Sequence, residues 1–531
     1  MIGVSTIRKD YEFILLGKVL VSVRRVARDG RFTYKGGKNM KKVVIIGGGL
    51  GGVSAAISLR QRGYDVSLYE QNGHIGGKLN RLEQDGFGFD LGPSILTMPH
   101  IFETLFTRSS KNMSDYVTIE RLPHQWRSFF PNGNVLDLHE DIDEMLRRNS
   151  TLTKKDMQQY EQLLVYAKRL YDVTEEGYFD KGLDDLNEIM QHHGAIRALR
   201  QFDIGTSMYD DIAKYVRNKQ FRDMLSYIVK YVGSSSYDAP TVLNMMLYMQ
   251  HAQGIWYVKG GMHHLGLALA KLAEEIGVEL HVNKKVVKFD TEKRRVIAAY
   301  LDDGTKLEAN YFVSNMEVIP AYEQLTHEKE SYMTKLRDQF EPASSGLVLH
   351  LGVNKQYPQL AHHNFFFADD MKRQMKRIFK QHILPDDPVI YLVNVNKTDA
   401  AQALPGHENL KILPHIPYLQ DGAYTRQQYE QFGEIVLDKL ERLGLTDLRK
   451  HIVTKDMWTP HDIQRTYSSD RGAIYGTVSD KKKNKGFKHK KQSELYDNLY
   501  FVGGTVNPGG GMPMVTLSGQ QVAEKIVAND R

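Results

Sequence analysis

The chain has 531 residues, 41% of them hydrophobic and 25% charged, with no cysteine and a formal net charge of +6. This is the composition of a folded enzyme of several domains, and the missing cysteine excludes disulfides, a thiolate nucleophile and a redox-active cysteine pair. Nine basic and three acidic side chains in residues 1–39 carry the whole net charge, so 40–531 are neutral in sum; with no run of 18 apolar residues, neither nucleic-acid binding nor a spanning helix is expected.

Residues 1–39 read as an extension. Met40-Lys41-Lys42 opens directly onto an apolar strand, and Lys35-Gly36-Gly37 is encodable by a purine-rich stretch resembling a ribosome-binding site, so Met40 is the expected start and 1–39 a non-native or disordered extension. The rival reading is a basic anchor, Phe13-Ile14-Leu15-Leu16 with Arg24 and Arg25, for anionic lipid.

The densest signal follows. Val43-Val44-Ile45-Ile46 suits a buried parallel strand, Gly47-Gly48-Gly49-Leu50-Gly51-Gly52 is a G-x-G-x-x-G turn, and Ala55, Ala56 and Leu59 begin a helix. Val66-Ser67-Leu68-Tyr69 is a second strand, ending on Glu70. Gly47 makes the tight turn, Gly49 lets the backbone approach a pyrophosphate, and Gly52 lets helix and strand pack closely. The helix N-terminus presents N–H groups and a positive dipole end to phosphates, and Glu70 is placed for the ribose hydroxyls. Strand, turn, helix and terminal acid in register predict a dinucleotide site. Gly76-Gly77-Lys78 and Phe89-Asp90-Leu91-Gly92-Pro93 come next.

A first insert, 121–257, opens with a predicted hairpin, Trp126 to Phe130 and Val135 to Leu138 around Asn132-Gly133. Helices are expected over Lys154 to Tyr171 and Gln220 to Val232. Met245, Met246 and Met249 read first as a buried helix face and second as the lining of a binding tunnel. Tyr257 to Met262, a helix from Leu265 to Ile276 and a strand from Val278 to Val286 return to the nucleotide domain, followed by a turn at Asp302-Asp303-Gly304 and a strand ending at Ser314-Asn315.

The second insert, 321–494, alternates strands such as Leu347 to Val353 and Val389 to Val395 with a helix from Gln427 to Leu443. Lys481-Lys482-Lys483-Asn484-Lys485 and Lys488-His489-Lys490-Lys491 flank Phe487; contact with anionic headgroups and a solvated loop are the two readings. Histidine pairs at 192–193, 263–264 and 362–363 lack ligand spacing, and no metal is expected. Asn498 to Gly504 is a strand running into glycines, followed by Pro508-Gly509-Gly510-Gly511-Met512-Pro513-Met514 and a helix from about Val515.

The glycine pair after Glu70, the strand to Val286 and the C-terminal glycine turn together resemble the carotenoid and retinoid oxidoreductase family of phytoene-desaturase type, over residues 41–531. The resemblance implies an α/β fold: an FAD-binding Rossmann-like domain of glutathione-reductase type (40–120, 258–320, 495–531) with an interleaved α+β substrate domain (121–257, 321–494). It implies FAD, with Gly76, Gly77 and Lys78 along the pyrophosphate, Gly92 and Pro93 nearby, Val286 at the adenine, and Gly503, Gly504, Gly511 and Met512 at the flavin ring. Lysine stands at 78 where the family usually has arginine, a point charge in place of a bidentate fork.

Within the family, residues 121–130, 231–240 and 507–514 resemble bacterial oxidases of the terminal methyl of thirty-carbon carotenoids. That implies a carotenoid polyene substrate and oxidation to the aldehyde in pigment biosynthesis, with a desaturase or isomerase of the same fold as the alternative. It further implies a cytoplasmic protein resting peripherally on the inner face of the membrane, beside other enzymes of the pathway. His124, Arg127 and Tyr237 are candidate catalytic residues; structural hydrogen bonding is the competing reading for each.

Overall fold

The computed structural model describes residues 11–16, 19–24, 40–193, 205–422 and 424–530. The chain divides into two units, 1–40 and 41–531. In the first, Tyr11–Leu16 pairs antiparallel with Val19–Arg24, strands that carry Phe13 to Leu16 and Arg24 of the anchor reading; Arg25, and Lys35-Gly36-Gly37 of the start-site reading, lie outside the described residues.

The second unit is built on a five-stranded sheet in the order Glu279–His281, Asp65–Tyr69, Lys42–Ile46, Tyr311–Ser314 and Leu499–Phe501. Every pairing in it is parallel. Val43 to Ile46 are buried on both faces, which is why they read as an unbroken apolar run. The helix Leu50–Arg60 is buried from Leu50 through Leu59. His263–Glu275 and Met512–Asn529 pack against it, and a side chain on Gly519 would run into the Gly51 carbonyl.

Both inserts contribute to one eight-stranded mixed sheet, running Ile452–Trp458, Val348–Val353, Glu408–Ile416, Ile390–Val393, His363–Phe366, His124–Phe129 and Val135–His139, with Ser345–Gly346 beside Glu408–Ile416. The hairpin of the first insert joins through a parallel pairing of His124–Phe129 with His363–Phe366. Strand alternation then sorts the side chains. Leu349, Leu351, Ile390, Leu392 and Ile412 pack under the helix Arg426–Arg442, in contact with Phe432, Val436 and Leu440, while Val348, Tyr391, Lys411 and Leu413 face a cavity.

Two expected elements are divided. The strand foreseen from Val278 to Val286 is two: Glu279–His281 edges the parallel sheet, and Val286 opens an antiparallel ribbon, Val286–Glu292 with Arg295–Leu301. Between them Asn283 takes a left-handed φ of 55°, and its amide donates to Asn72 O at 3.1 Å while Lys284 N donates to Glu70 O at 2.8 Å. The chain turns there to close over the end of the second strand. The helix foreseen from Gln220 to Val232 is α-helical only over Lys219–Ser226 and tightens into a 3₁₀ segment, Tyr227–Val232, ending at Gly233 with φ of 56°. Among the described residues, no helix is long and apolar enough to cross a membrane.

Candidate functional site

A cavity of about 800 Å³ opens at the C-terminal ends of the parallel strands and continues beneath the mixed sheet. Its first wall is the glycine turn. Gly47, at a φ of 94°, donates its amide to Tyr69 O at 2.8 Å. Behind the turn, Gly48 N donates to Glu70 Oε2 at 2.7 Å, and Asn72 N and Nδ2 both donate to Glu70 Oε1 at 2.8 Å. Glu70, 6% exposed, therefore braces the loop as well as facing the cavity.

The second glycine pair lies against the first turn. Gly76 N donates to Gly48 O at 2.8 Å, and a Cβ on Gly77 would stand 2.9 Å from the Gly49 Cα. Gly52 N donates to Asn315 Oδ1 at 3.1 Å, and a Cβ on Gly52 would overlap the Gly47 carbonyl. Helix Leu50–Arg60 starts with Gly49 at its N-cap and no side-chain cap, leaving its positive end toward the cavity. Two glycine-only surfaces, an uncapped helix end and an acid beyond them form a cradle that fits the diphosphate and ribose of FAD.

Of the predicted cofactor residues, Gly47, Gly49, Leu50, Gly51, Glu70, Gly76, Gly77, Lys78, Gly92, Pro93, Val286, Gly503, Gly504, Gly511 and Met512 line this one cavity. Gly48 and Gly52 stand behind its wall in the packing roles just described. Lys78 Nζ donates to the carbonyl of Ile474, another lining residue, at 3.1 Å. Burial lowers its ammonium below the ordinary range, with Glu317 pulling the other way. Burial pushes the Glu317 carboxyl up to about 7, and its Oε2 accepts from Asp470 N at 2.8 Å.

The three catalytic candidates are not among the cavity-lining residues. Arg127 Nε and Nη2 each donate to Asp137 at 2.7 Å, and His124 Nε2 lies 3.0 Å from the same carboxylate. Burial opposes ionisation of Asp137, but those two partners hold its carboxyl well below the usual range. Tyr237 packs on Tyr209, ring centroids 4.4 Å apart. The geometry gives all three structural contacts.

The lysine run at 481–491 is no uniform solvated array. Lys488 and Lys491 are buried. Lys488 Nζ donates to Thr477 O, and Lys491 pairs with Asp184, a residue also 3.1 Å from Lys525. Lys483 pairs with Glu341 and Lys490 with Asp185, while Lys482 and Lys485 are exposed. Lys481, Lys485, Phe487 and Lys488 border the cavity.

Beyond the cradle the cavity is apolar: Val173, Phe179, Val242, Leu243, Met245, Met246 and Met249 line it. The methionines are thus both a buried helix face and a cavity wall. Sequence reasoning missed two features. Asn315, noted only as a strand end, ties that strand to the glycine turn. Lys230 lines the cavity with Tyr391 and Tyr475, residues whose sequence separation offers no local signal.

A profile of the family "Flavin containing amine oxidoreductase" matches residues 50–394. The chain is 59% identical over 490 residues, 92% of its length, to the 4,4'-diaponeurosporene oxygenase of Staphylococcus haemolyticus (strain JCSC1435), covering 98% of that protein. It is equally similar to the enzyme of that name from Staphylococcus aureus (strain USA300), 59% over 490 residues, covering 92% of this chain and 99% of the other. Among solved structures, cyclohexylamine oxidase from Brevibacterium oxydans IH-35A superposes with a TM-score of 0.58 at 15% identity, over 93% of this chain and all of that one. Putrescine oxidase bound to putrescine gives 0.58 at 11%, over 92% and 99%. These two likenesses speak to the fold.

Proposed function

The chain belongs to the flavin containing amine oxidoreductases, in one family with the 4,4'-diaponeurosporene oxygenases, and from that premise we propose that it oxidises the terminal methyl group of a thirty-carbon carotenoid to the aldehyde with FAD. The observation that carries the reading is the single cavity joining the glycine cradle to the methionine-lined region. A polyene entering through the apolar part meets the C-terminal glycine turn end-on.

The terminal methyl is allylic to the conjugated chain. Its C–H bond is weakened because charge left on the carbon spreads along the polyene. FAD, when bound, supplies a hydride acceptor. The protein's share is position and dryness. Gly49, Gly76 and Gly77 would offer backbone to the pyrophosphate, Glu70 would hold the ribose, Val286 would lie at the adenine, and Gly503, Gly504, Gly511 and Met512 would border the ring; all of them line the cavity. The methionine helix and Phe179 keep water from the reacting end.

A water-insoluble substrate is best collected at a bilayer, and we place the cavity mouth there, near the exposed Lys482 and Lys485. The test is product identity. Flavin-loaded protein given 4,4'-diaponeurosporene is expected to yield the terminal aldehyde, and a fully desaturated methyl-ended polyene is expected to be oxidised too. A product with one more double bond and intact methyl ends makes the protein a desaturase; geometric isomers alone make it an isomerase.

A further inference from the structure

We propose that Lys230 is the proton acceptor for the second half of this oxidation, taking the hydroxyl proton of a terminal hydroxymethyl group as that group becomes the aldehyde. The inference rests on the functional reading above and adds a residue with a stated chemical task.

Lys230 projects from the 3₁₀ segment Tyr227–Val232 and lines the cavity although it is only 5% exposed. Four aromatic rings enclose its Nζ: Tyr391 at 4.2 Å, Tyr231 at 4.3 Å, Phe365 at 4.8 Å and Trp126 at 5.4 Å to the centroids. Among the described residues, no hydrogen bond or carboxylate reaches that nitrogen. The polar groups around it are engaged elsewhere. The Tyr391 hydroxyl bonds to His363 Nδ1 at 2.9 Å, the Tyr231 hydroxyl donates to Gln250 Oε1 at 3.0 Å, and the Tyr475 hydroxyl lies 3.3 Å from His415 Nε2. Among the described residues Trp126 Nε1 and His363 Nε2 also lack partners, but neither residue lines the cavity, so the amine is the uncommitted polar atom of this enclosure on a cavity-lining residue.

Its position is at the reacting end. The Tyr231 carbonyl lies 3.9 Å from where a Cβ on Gly511 would stand, and the Tyr475 carbonyl 2.6 Å from one on Gly510. The backbone that carries Lys230 thus runs beside the C-terminal glycine turn, and both Lys230 and that turn line the one cavity. Burial lowers the Lys230 ammonium well below its ordinary value, which favours the neutral amine with its free lone pair. Burial also lowers the imidazoles that face it, His363 and His415, so they stay neutral beside the amine. The same four ring faces that exclude water also stabilise an ammonium once it forms.

The step balances. The O–H bond of the alcohol breaks and an N–H bond forms on Lys230. The C–H bond on the same carbon breaks with its electron pair, which goes as hydride to the oxidant, a flavin. The carbonyl π bond forms between carbon and oxygen. The resulting ammonium donates to the new aldehyde oxygen and returns its proton to water on release.

The test uses flavin-loaded full-length protein, wild type and the variants Lys230→Met and Lys230→Arg, given the methyl-ended polyene and its terminal alcohol separately. Oxidation of the alcohol by Lys230→Met is expected to fall about 100-fold, the usual scale for losing a positioned base, with alcohol accumulating from the methyl substrate. Lys230→Arg, always charged, is expected to be equally slow. A second readout needs no turnover: binding of the polyene aldehyde. Wild type is expected to move its absorption to longer wavelength as the pH falls and Lys230 protonates, Lys230→Arg to do so at every pH, and Lys230→Met at none. Alcohol oxidation by Lys230→Met within threefold of wild type overturns the proposal, as does an aldehyde spectrum that is the same in wild type and Lys230→Arg at every pH. Should Lys230→Met fail to retain flavin, wild type against Lys230→Arg decides by the same two readouts. Wild type that makes no aldehyde from the methyl substrate overturns the functional reading instead, and this inference with it.

Discussion

Asn315 Oδ1 accepts the Gly52 amide at 3.1 Å, so the strand returning from the middle of the chain is fastened to the first turn of the helix Leu50–Arg60. The same side chain fills the space beside Gly49, where a Cβ would stand 2.5 Å from Asn315 Nδ2. Any side chain at 49 therefore meets protein.

Gly49→Val is expected to abolish flavin binding, read as loss of flavin absorbance in the purified protein. Crowding by Asn315 and crowding by the pyrophosphate are separable by a double-mutant cycle. Gly49→Ala alone is expected to lower flavin content, and Asn315→Ala alone to cost about 1 kcal/mol for one hydrogen bond. If Asn315 supplies the obstruction, the pair together retains more flavin than Gly49→Ala. No recovery in the pair assigns the crowding to the pyrophosphate.

Glu70→Ala is expected to damage the protein even when FAD saturates the site. The substitution leaves the Gly48 and Asn72 amides without their carboxylate, at about 1–3 kcal/mol for the buried Gly48 donor and less for the half-buried Asn72. The measurement is denaturant unfolding with and without excess FAD. Full recovery of stability by FAD would mean that Glu70 acts on the ribose alone.

The contrast between these residues and the ones that went unread is physical. The glycine turn, Glu70 and the C-terminal Gly511-Met512 were legible because each task is local: a tight turn, a close backbone approach, an acid at a strand end. The hairpin around Asn132-Gly133 was legible for the same reason. Lys230 was not, since its ring partners at 126, 365 and 391 come from three separate strands of the mixed sheet. Nor was the fate of Lys491, whose counter-ion Asp184 lies 307 positions away; a lysine-rich run reads as surface until its partner is known. The strand broken at Asn283 failed on pattern, because its residues suit a strand and only the closure over Glu70 interrupts it.

Acid should destabilise the protein through its buried imidazoles. Burial pushes His362, His415 and His489 down to about 3, and His363 well below its ordinary value. Each binds a proton in the unfolded chain below about pH 6.5 but not in the folded one. Their stability contribution is therefore complete above pH 6.5 and lost as the pH falls from there toward 3. Each adds a slope of about 1.4 kcal/mol per pH unit. Urea midpoints between pH 7.5 and 5 are expected to fall steeply, and His489→Phe to make the fall shallower by one proton. A midpoint flat across that range contradicts the burial of these rings.

The last prediction separates two kinds of lysine within one run. Lys491 and Asp184 are buried together, 0% and 3% exposed at their side chains. Removing one member of a buried pair strands the other charge, at about 3–5 kcal/mol. Lys491→Met is accordingly expected to lower the unfolding midpoint sharply, with Lys525 left to hold Asp184 in part. Lys482→Gln with Lys485→Gln should leave that midpoint alone, because both side chains are exposed and surface charges contribute little to stability. If this edge of the cavity meets the bilayer, the double replacement lowers binding to anionic liposomes at low salt by roughly 1 kcal/mol per lysine, and added salt removes the difference. Undiminished liposome binding places the membrane contact elsewhere on the surface. An unchanged midpoint in Lys491→Met would instead mean that the pair is not buried, and the loop would have to be redrawn as solvated.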